Sequence, residues 1–481
     1  MKLIAPLLAA LAVLSAPPAL AAGSTAGLQN TDCVAPGSSA SLYKTQSAPK
    51  YAKLFGIEYH DTYKVLSDHS SKSTYVLYQC GSDKPSVKDA AAFIPIPVSS
   101  VAAWSTTAPA FLEALGVQDK IRNLGTSPSI TSACLQELLQ EVIKPFDEGN
   151  ATSVDQQEMN NTVVFNMPGG QDANTTNTVY SAEYLEGSAL GRAEWLKYFA
   201  AFFNAEERAN ALFDSISANY ECFAGKANSE YNALRPVVAW TSYAEPSAFN
   251  NNTAYWQIST ASYKYDLVRD AGARMLNTTG GASATTFKTA AAFLDALKDA
   301  DIVIDESFVS YSYADLLKNY GVSDPGKSDL VWVSQSRVFR PDRIQSTAGG
   351  LDWFEAPLVF ADALLQDVIG VAHPAFSKKH SAIWFRNLAK DDPVSVISAA
   401  NCTDMYAQRQ DIADTCSSVD FQPANPSDSD YSGVEPGKTQ DPIYDISKSK
   451  VINDESGAAS LCAGLALVLV AAAAAAATVA L

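Results

Sequence analysis

One stretch, Glu183 to Tyr220, constrains the fold of this chain more than any other. Trp195, Tyr198, Phe199, Phe202 and Phe203 recur at three- and four-residue steps, and Ala209, Leu212, Phe213 and Ile216 continue the period. Such spacing lays a wide apolar stripe along one side of a helix. Arg192, Glu194, Lys197, Glu206 and Glu207 fill much of the other side. Ser188 stands where an N-cap belongs, Gly191 weakens the first turn, and no proline interrupts before Pro236. A helix of about 30 residues spans roughly 45 Å. That is too long for a small domain and suits a strut between two lobes; the competing reading is a core helix of one large domain.

The flanking sequence supports two α/β lobes. With 481 residues, 47% of them hydrophobic, the chain can bury a large core. Before the strut, Tyr63–Leu66 and Ser73–Tyr78 read as strands around a turn at 68–71, and Phe93–Val98 as a third strand. A helix from Ser105 to Leu115, a strand at Ile121–Leu124, a helix from Thr131 to Gln140 and a strand at Thr162–Phe165 follow. After it, Val237–Trp240, Trp256–Ile258, Asp301–Asp305 and Leu330–Val333 read as strands. Helices are expected at Tyr265–Ala271, Ala290–Ala300 and Leu358–Ile369. The alternation implies parallel βαβ units. Gly169-Gly170 and Gly349-Gly350 read as turns, with no phosphate-loop pattern around them.

Both termini carry processing signals. Lys2, the apolar run Leu3–Leu14 and Ala19-Leu20-Ala21 make residues 1–22 a secretory signal peptide. No cysteine follows the cleavage site, which argues against a bacterial lipoprotein. Residues 458–481 read as a glycosylphosphatidylinositol (GPI) type hydrophobic tail, with Asn453, Ser456 and Gly457 as candidate attachment residues; a retained tail anchor is the other reading. The chain changes character from about Asn401, residues 417–457 are dense in Ser, Asp, Pro and Lys, and 401–457 read as an acidic flexible stalk. The domains are then an N-terminal lobe at 23–187, a linker helix at 188–225 and a C-terminal lobe at 226–400.

Setting aside Cys462 in the tail, six cysteines remain in an exported chain, which suggests three disulfides. Cys33–Cys80, Cys402–Cys416 and Cys134–Cys222 are the expected pairs among fifteen connectivities. Six sequons, at Asn150, Asn160, Asn174, Asn251, Asn277 and Asn401, are candidate glycosylation sites and point to a cell surface. A net charge of -18 argues against a nucleic-acid partner.

The segment IPIPVSSVAAWSTTAPAFLEALGVQDKIRNLGT resembles the opening strand, loop and helix of the helical-backbone (class III) periplasmic substrate-binding proteins, which serve importers of iron-siderophores, haem and cobalamin. SALGRAEWLKYFAAFFNAEERANALFDSI resembles that family's linker helix, and GGLDWFEAPLVFADALLQDVIGVAHPAF an element of its second lobe. The likeness covers roughly residues 55–390. It implies two Rossmann-like lobes joined by one linker helix. It also implies a cleft that closes only slightly, and capture of a ferric siderophore, haem or cobalamin without catalysis or a required cofactor. A surface-tethered receptor is expected, with a small-molecule chelate, a lipid-anchored membrane attachment and an uptake transporter as partners. The alternative is a GPI-anchored structural or adhesive protein with a degenerate binding fold.

Ligands of such a fold sit at loops after the strands. Candidate ligand-binding residues are therefore Ser99, Ser100 and Trp104 in the first lobe, with Ser70 and Ser71 ranked behind them. In the second lobe they are Trp240, Tyr243, Trp256, Tyr263, Arg337, Arg340 and Trp353. Aromatic rings cover the flat faces of chelates and macrocycles, and arginine forks bind their anionic oxygens. Core packing competes for each aromatic residue, and a local salt-bridge cluster with Asp342 for the arginines. His60, His69, His373 and His380 are too few and too scattered for a bare-metal site. The chain has no G-x-S-x-G elbow and no H-E-x-x-H, and Asp305-Glu306 is weak evidence for a glycosidase.

Overall fold

The computed structural model describes residues 26–425, apart from 39, 126, 169–175, 279–283 and 308–311. The signal peptide, the hydrophobic tail, Asn453, Ser456, Gly457, Asn174 and the stalk beyond 425 lie outside the described residues. Among the described residues no helix is long and apolar enough to cross a membrane.

The aromatic run that dominates the sequence is the hub of the main core. Trp195, Tyr198, Phe199 and Phe202 are fully buried. Phe55 packs on Trp195 at 5.0 Å, Phe111 on Phe199 at 5.0 Å and Phe165 on Phe202 at 5.0 Å. These partners come from three elements: the strand Phe55–Tyr59, the helix Thr107–Ala114 and the strand Val163–Asn166. Full burial of each ring contributes roughly 1.5–3 kcal/mol, so the hub joins three layers at once.

Two sheets flank it on the N-terminal side. The first runs Phe55–Tyr59, Tyr63–Asp68, Ser73–Gln79, Ala92–Ile96 in that order, antiparallel except for the last pair. The second is wholly parallel, in the order Lys144–Pro145, Ile121–Leu124, Val101–Ala103, Val163–Asn166, Thr178–Tyr180. Val101–Ala103 and Val163–Asn166 are buried along their whole length, as parallel strands covered on both faces must be. The C-terminal sheet centres on Val237–Ala244, with Ile302–Asp305 and then Val338–Arg340 parallel beside it. Tyr255–Ser259 and Ala284–Phe287 close one margin and Arg386–Asn387 the other, all antiparallel. The fold is mixed α/β, with a parallel sheet on the N-terminal side and a mixed sheet, parallel at its centre, on the C-terminal side.

The predicted strut differs from a single rod over 188–225. It is three helices, Ala189–Ala193, Trp195–Ala201 and Glu206–Glu230. The last break is built into the chain: Asn204 has φ +54°, outside the helical region. Its side chain donates to Asn30 O and Gln79 Oε1 and accepts from Lys64 Nζ, which also pairs with Glu206. Lys64 and Glu206 are completely buried, so each holds the other in place. Beyond the break, Ala209, Phe213, Ile216, Tyr220, Phe223 and Ala227 alternate at four- and three-residue steps as the buried face.

Other expectations are corrected. Leu330–Val333 is not a strand: Val331–Ser334 is a short helix that buries Trp332 and Val333, and Val338–Arg340 takes the place in the sheet. Cys33–Cys80 forms, but the other pairs are Cys134–Cys402 and Cys222–Cys416. Residues 401–425 are not stalk. They fold back across the body, which carries Cys402 to the helix Ala133–Glu141 and Cys416 to the helix Glu206–Glu230.

Candidate functional site

In a doubly wound sheet the ligand crevice lies past the carboxyl ends of the strands, where the strand order reverses. In the N-terminal lobe that point falls between Val101–Ala103 and Val163–Asn166. The strand Phe93–Val98 of the sequence reading belongs instead to the four-stranded sheet, as Ala92–Ile96. This shifts the expected site. Ser99 and Ser100 precede Val101 and so lie at the amino end of the parallel sheet, where both hydroxyls meet Thr162 at 3.1 Å. Trp104 follows Ala103 directly and lies at the carboxyl end. It stacks on Phe146 at 4.0 Å and donates its indole N–H to Glu158 at 2.7 Å. Ser70 and Ser71 only cap the hairpin turn, through Asp68.

A series of side chains runs from the carboxyl ends of the parallel strands toward the junction between the lobes. Thr107, past Val101–Ala103, donates to the buried Glu183, past Thr178–Tyr180. Arg192 lies next, on the short helix Ala189–Ala193. Its Nε donates to Glu186 O at 3.1 Å and its Nη2 to Tyr184 O at 2.6 Å. The guanidinium sits over the Tyr263 ring, 3.4 Å from its centroid, so a cation of the linker segment covers an aromatic face of the C-terminal lobe. Lys264, buried in the first turn of Ser262–Asp270, pairs with Glu306, which follows Ile302–Asp305. Its ammonium also lies 5.0 Å from the Trp240 ring.

The electrostatics follow from burial. Desolvation raises the Glu183 carboxyl above its ordinary range, opposed by the Thr107 hydroxyl and more weakly by the Arg192 charge. For Lys264 desolvation acts downward, but Glu306 and Tyr263 outweigh it and the net shift is upward. Lys264 therefore stays charged in a buried position.

The remaining candidates divide. Trp240 is fully buried behind Lys264, with Trp353 6.0 Å away and Phe385 packed against both. Tyr243 closes on Trp256 at 5.4 Å, and Trp256 faces the second hydrophobic core, donating to Asn319 O at 2.9 Å. Arg340 is consumed internally: it pairs with Asp305 and Asp342 and donates to Ser307 O at 2.8 Å, and Arg386 also holds Asp342. Arg337 precedes Val338, at the amino end of the sheet and away from the seam. It lines a cavity of about 90 Å³ with Gln335, Asn387 and Lys390. A second cavity, about 10 Å³, lies at the carboxyl ends beside Glu306, Arg340 and Trp353. Among the described residues no group of three or more His, Cys, Asp or Glu could hold a metal ion.

Reading the sequence missed Arg192, Lys264 and Glu183 as site residues. Arg192 looks like the polar side of a long helix, and Lys264 precedes the helix start expected at Tyr265. The available signal was the run Tyr263-Lys264-Tyr265, a cation between two rings opening a helix.

No family model matches the chain. An uncharacterized lipoprotein of Methanocaldococcus jannaschii is 24% identical over 376 residues, covering 70% of this chain and 84% of the relative. Among solved structures, similar chains include a possible iron-binding periplasmic solute-binding protein of Staphylococcus epidermidis. It is 14% identical with a TM-score of 0.42, over 58% of this chain and 99% of that one. A periplasmic heme-binding protein of Pseudomonas aeruginosa is 14% identical with a TM-score of 0.42, over 60% and 97%. A TroA-like periplasmic binding protein of Veillonella parvula is 17% identical with a TM-score of 0.41, over 61% and 95%. All three are periplasmic binding proteins, the class that the sequence resembles.

Proposed function

We propose that this is a non-catalytic, surface-held binding protein that takes an iron chelate, haem-like or corrinoid ligand (a ferric siderophore, haem or cobalamin) at the seam between its lobes. The observation that carries the reading is the Arg192–Tyr263 stack. It puts a cation against an aromatic ring between the linker segment and the C-terminal lobe. That is the chemistry a flat ligand with peripheral anionic oxygens requires. Trp240, 5.0 Å from the Lys264 ammonium, is a built-in reporter. Titration of intrinsic fluorescence with a ferric siderophore, haemin and cobalamin should show saturable quenching by one of them. Arg192→Ala should weaken that binding at least about tenfold, the loss of one charge-assisted contact. No saturable response to any of the three would overturn the reading.

The ligand would pass on to an uptake transporter, and a lipid anchor of GPI type would hold the protein at the cell surface. The relative's designation as a lipoprotein supports lipid attachment in general. Asn150, Asn160, Asn251, Asn277 and Asn401 are exposed, which supports the glycosylation sites. Release from cells by phosphatidylinositol-specific phospholipase C tests the anchor; retention would count against it.

A second reading, a structural or adhesive surface protein, draws support from the small size of the two cavities. At about 90 and 10 Å³ they fall short of the roughly 300–1,000 Å³ of small-molecule sites.

A further inference from the structure

The segment 401–425 makes contacts on both lobes and on the long helix. Cys402 is bonded to Cys134 on the N-terminal lobe, and Cys416 to Cys222 on the long helix. Between these two anchors, Gln118 of the N-terminal lobe donates to Ala407 O at 2.8 Å and Gln408 donates to Ala114 O at 2.7 Å. On the other side, Asp414 bonds Gln366 of the helix Ala361–Ala372 through both side chain and backbone, at 2.6 and 3.0 Å. Further on, Gln422 N donates to Phe376 O at 2.9 Å.

Arg409 sits where the lobes meet. Its backbone N–H donates to Glu113 O at 2.9 Å. Its guanidinium lies 3.6 Å from Glu113 of the first lobe and 3.6 Å from Asp352 of the second. Thr131 crosses the same junction, donating its N–H to Glu355 at 2.9 Å and its hydroxyl toward Asp352 at 2.8 Å and Glu355 at 2.7 Å. Glu113, Asp352 and Glu355 are all buried. Two buried carboxyl groups flank a guanidinium that is itself only partly exposed, and beside them Glu355 is driven well above its ordinary range by burial and then by Asp352. Thr131, Ser132 and Trp384 donate hydrogen bonds to these carboxyls, and Arg409 brings a positive charge to them. The lobes also touch closely nearby: a Cβ at Gly350 would stand 2.0 Å from Ser129 O.

We propose that residues 401–425 are a strap that sets the angle between the lobes, with Arg409 as the bolt and the Cys134–Cys402 and Cys222–Cys416 bonds as its two fixings. The lobes then form one rigid body, and any ligand enters the seam without the halves swinging together. Arg409 is a positioning residue. The proposal holds whether or not a chelate binds at Arg192.

Hydrogen–deuterium exchange on the full-length protein tests it, in wild type, Arg409→Met and the paired Cys134→Ser/Cys402→Ser variant. The expected result is a loss of protection of at least tenfold in peptides covering 127–136 and 351–358, the two sides of the junction. Peptides of the four-stranded sheet at 63–79 should be unchanged. Unchanged protection at the junction in Arg409→Met overturns the proposal. So does an equal loss across the whole chain, since that is a plain stability effect. If the cysteine pair variant does not fold, Arg409→Met decides alone.

Discussion

His373 shows how far a single residue's environment can depart from what its sequence neighbours suggest. It follows the helix Ala361–Ala372, is completely buried, stacks on Tyr231 at 3.7 Å and bonds Gly272 O through Nε2 at 3.1 Å. Burial lowers its pKa to about 3, against the upward pull of the backbone carbonyls of Gly272 and Ala271. In the unfolded chain it titrates near 6.5. Between those values the unfolded state binds the extra proton, so stability falls as pH drops below about 6.5 and levels off near the folded pKa. The slope is on the order of 1 kcal/mol per pH unit, about 2 kcal/mol by pH 5. Above about 6.5 the group has no effect on the slope. His373→Phe keeps a ring against Tyr231 but removes the proton site. At pH 7 it should cost about 1 kcal/mol for the lost bond, and it should gain on wild type as pH falls toward 4. Urea midpoints across that range measure the difference; parallel curves for the two proteins would refute it. The same scale limits what was readable of the candidate site. Tyr263, Trp240 and Trp353 are visible in the sequence as large rings near strand ends. The cations that give the seam its chemistry are not, because Arg192 reaches Tyr263 from a helix more than 70 positions away. A composition of rings and arginines also does not separate Arg340, locked between Asp305 and Asp342, from an arginine facing a ligand.

At the level of elements, most helices and the longer strands were readable from period alone, and the failures have definite causes. Val101–Ala103 is only three residues long, too short for an alternating pattern, yet it is the middle strand of the parallel sheet. Missing it misplaced Ser99 and Ser100 by the length of a strand. Leu330–Val333 is a short apolar run, which periodicity cannot assign to strand or helix. The broken strut is the most informative case. Its stripe continues across 202–205 because Phe202, Phe203 and Ala205 are all buried, whether or not the backbone there is helical. The break lies in Asn204 at φ +54°, a conformation asparagine tolerates and most residues do not. Asn204→Gly and Asn204→Ala lose the same bonds to Gln79, Asn30 and Lys64. They differ in the strain of a left-handed backbone, about 1 kcal/mol. Alanine should therefore be the less stable by roughly that amount in urea unfolding. If alanine is instead the more stable, the segment straightens into a continuous helix and the single-rod reading returns.

For the molecule as a whole, the two-lobed α/β plan was readable and its outer limit was not. Residues 401–425 look like stalk because they are polar, with few large apolar groups. Their place in the body depends on long-range partners that composition cannot display: Cys134, Cys222, Glu113, Asp352 and Gln366. The cysteine arithmetic held a clue. Pairing Cys402 with Cys416 leaves two distant cysteines to each other, whereas crossing the pairs ties the segment down at two points. The difference is testable by shortening the chain. A protein ending after Asn425 keeps Arg409, both disulfides and the ring of Phe421, which packs on Phe376 at 5.5 Å. It should match the full-length chain in urea midpoint. One ending after Ala400, with Cys134 and Cys222 changed to serine, loses two disulfides worth roughly 2–5 kcal/mol each. It also leaves Glu113 and Asp352 buried without their cation, a further cost of about 3–5 kcal/mol. Those losses compare with a total stability of about 5–15 kcal/mol for an ordinary domain. The shorter protein should therefore be unfolded or molten at 25 °C, seen as loss of near-ultraviolet circular dichroism. If instead it melts cooperatively within a few degrees of the longer one, the body ends near 400, as composition alone suggests, and the last described residues are a covering, not a part of the fold.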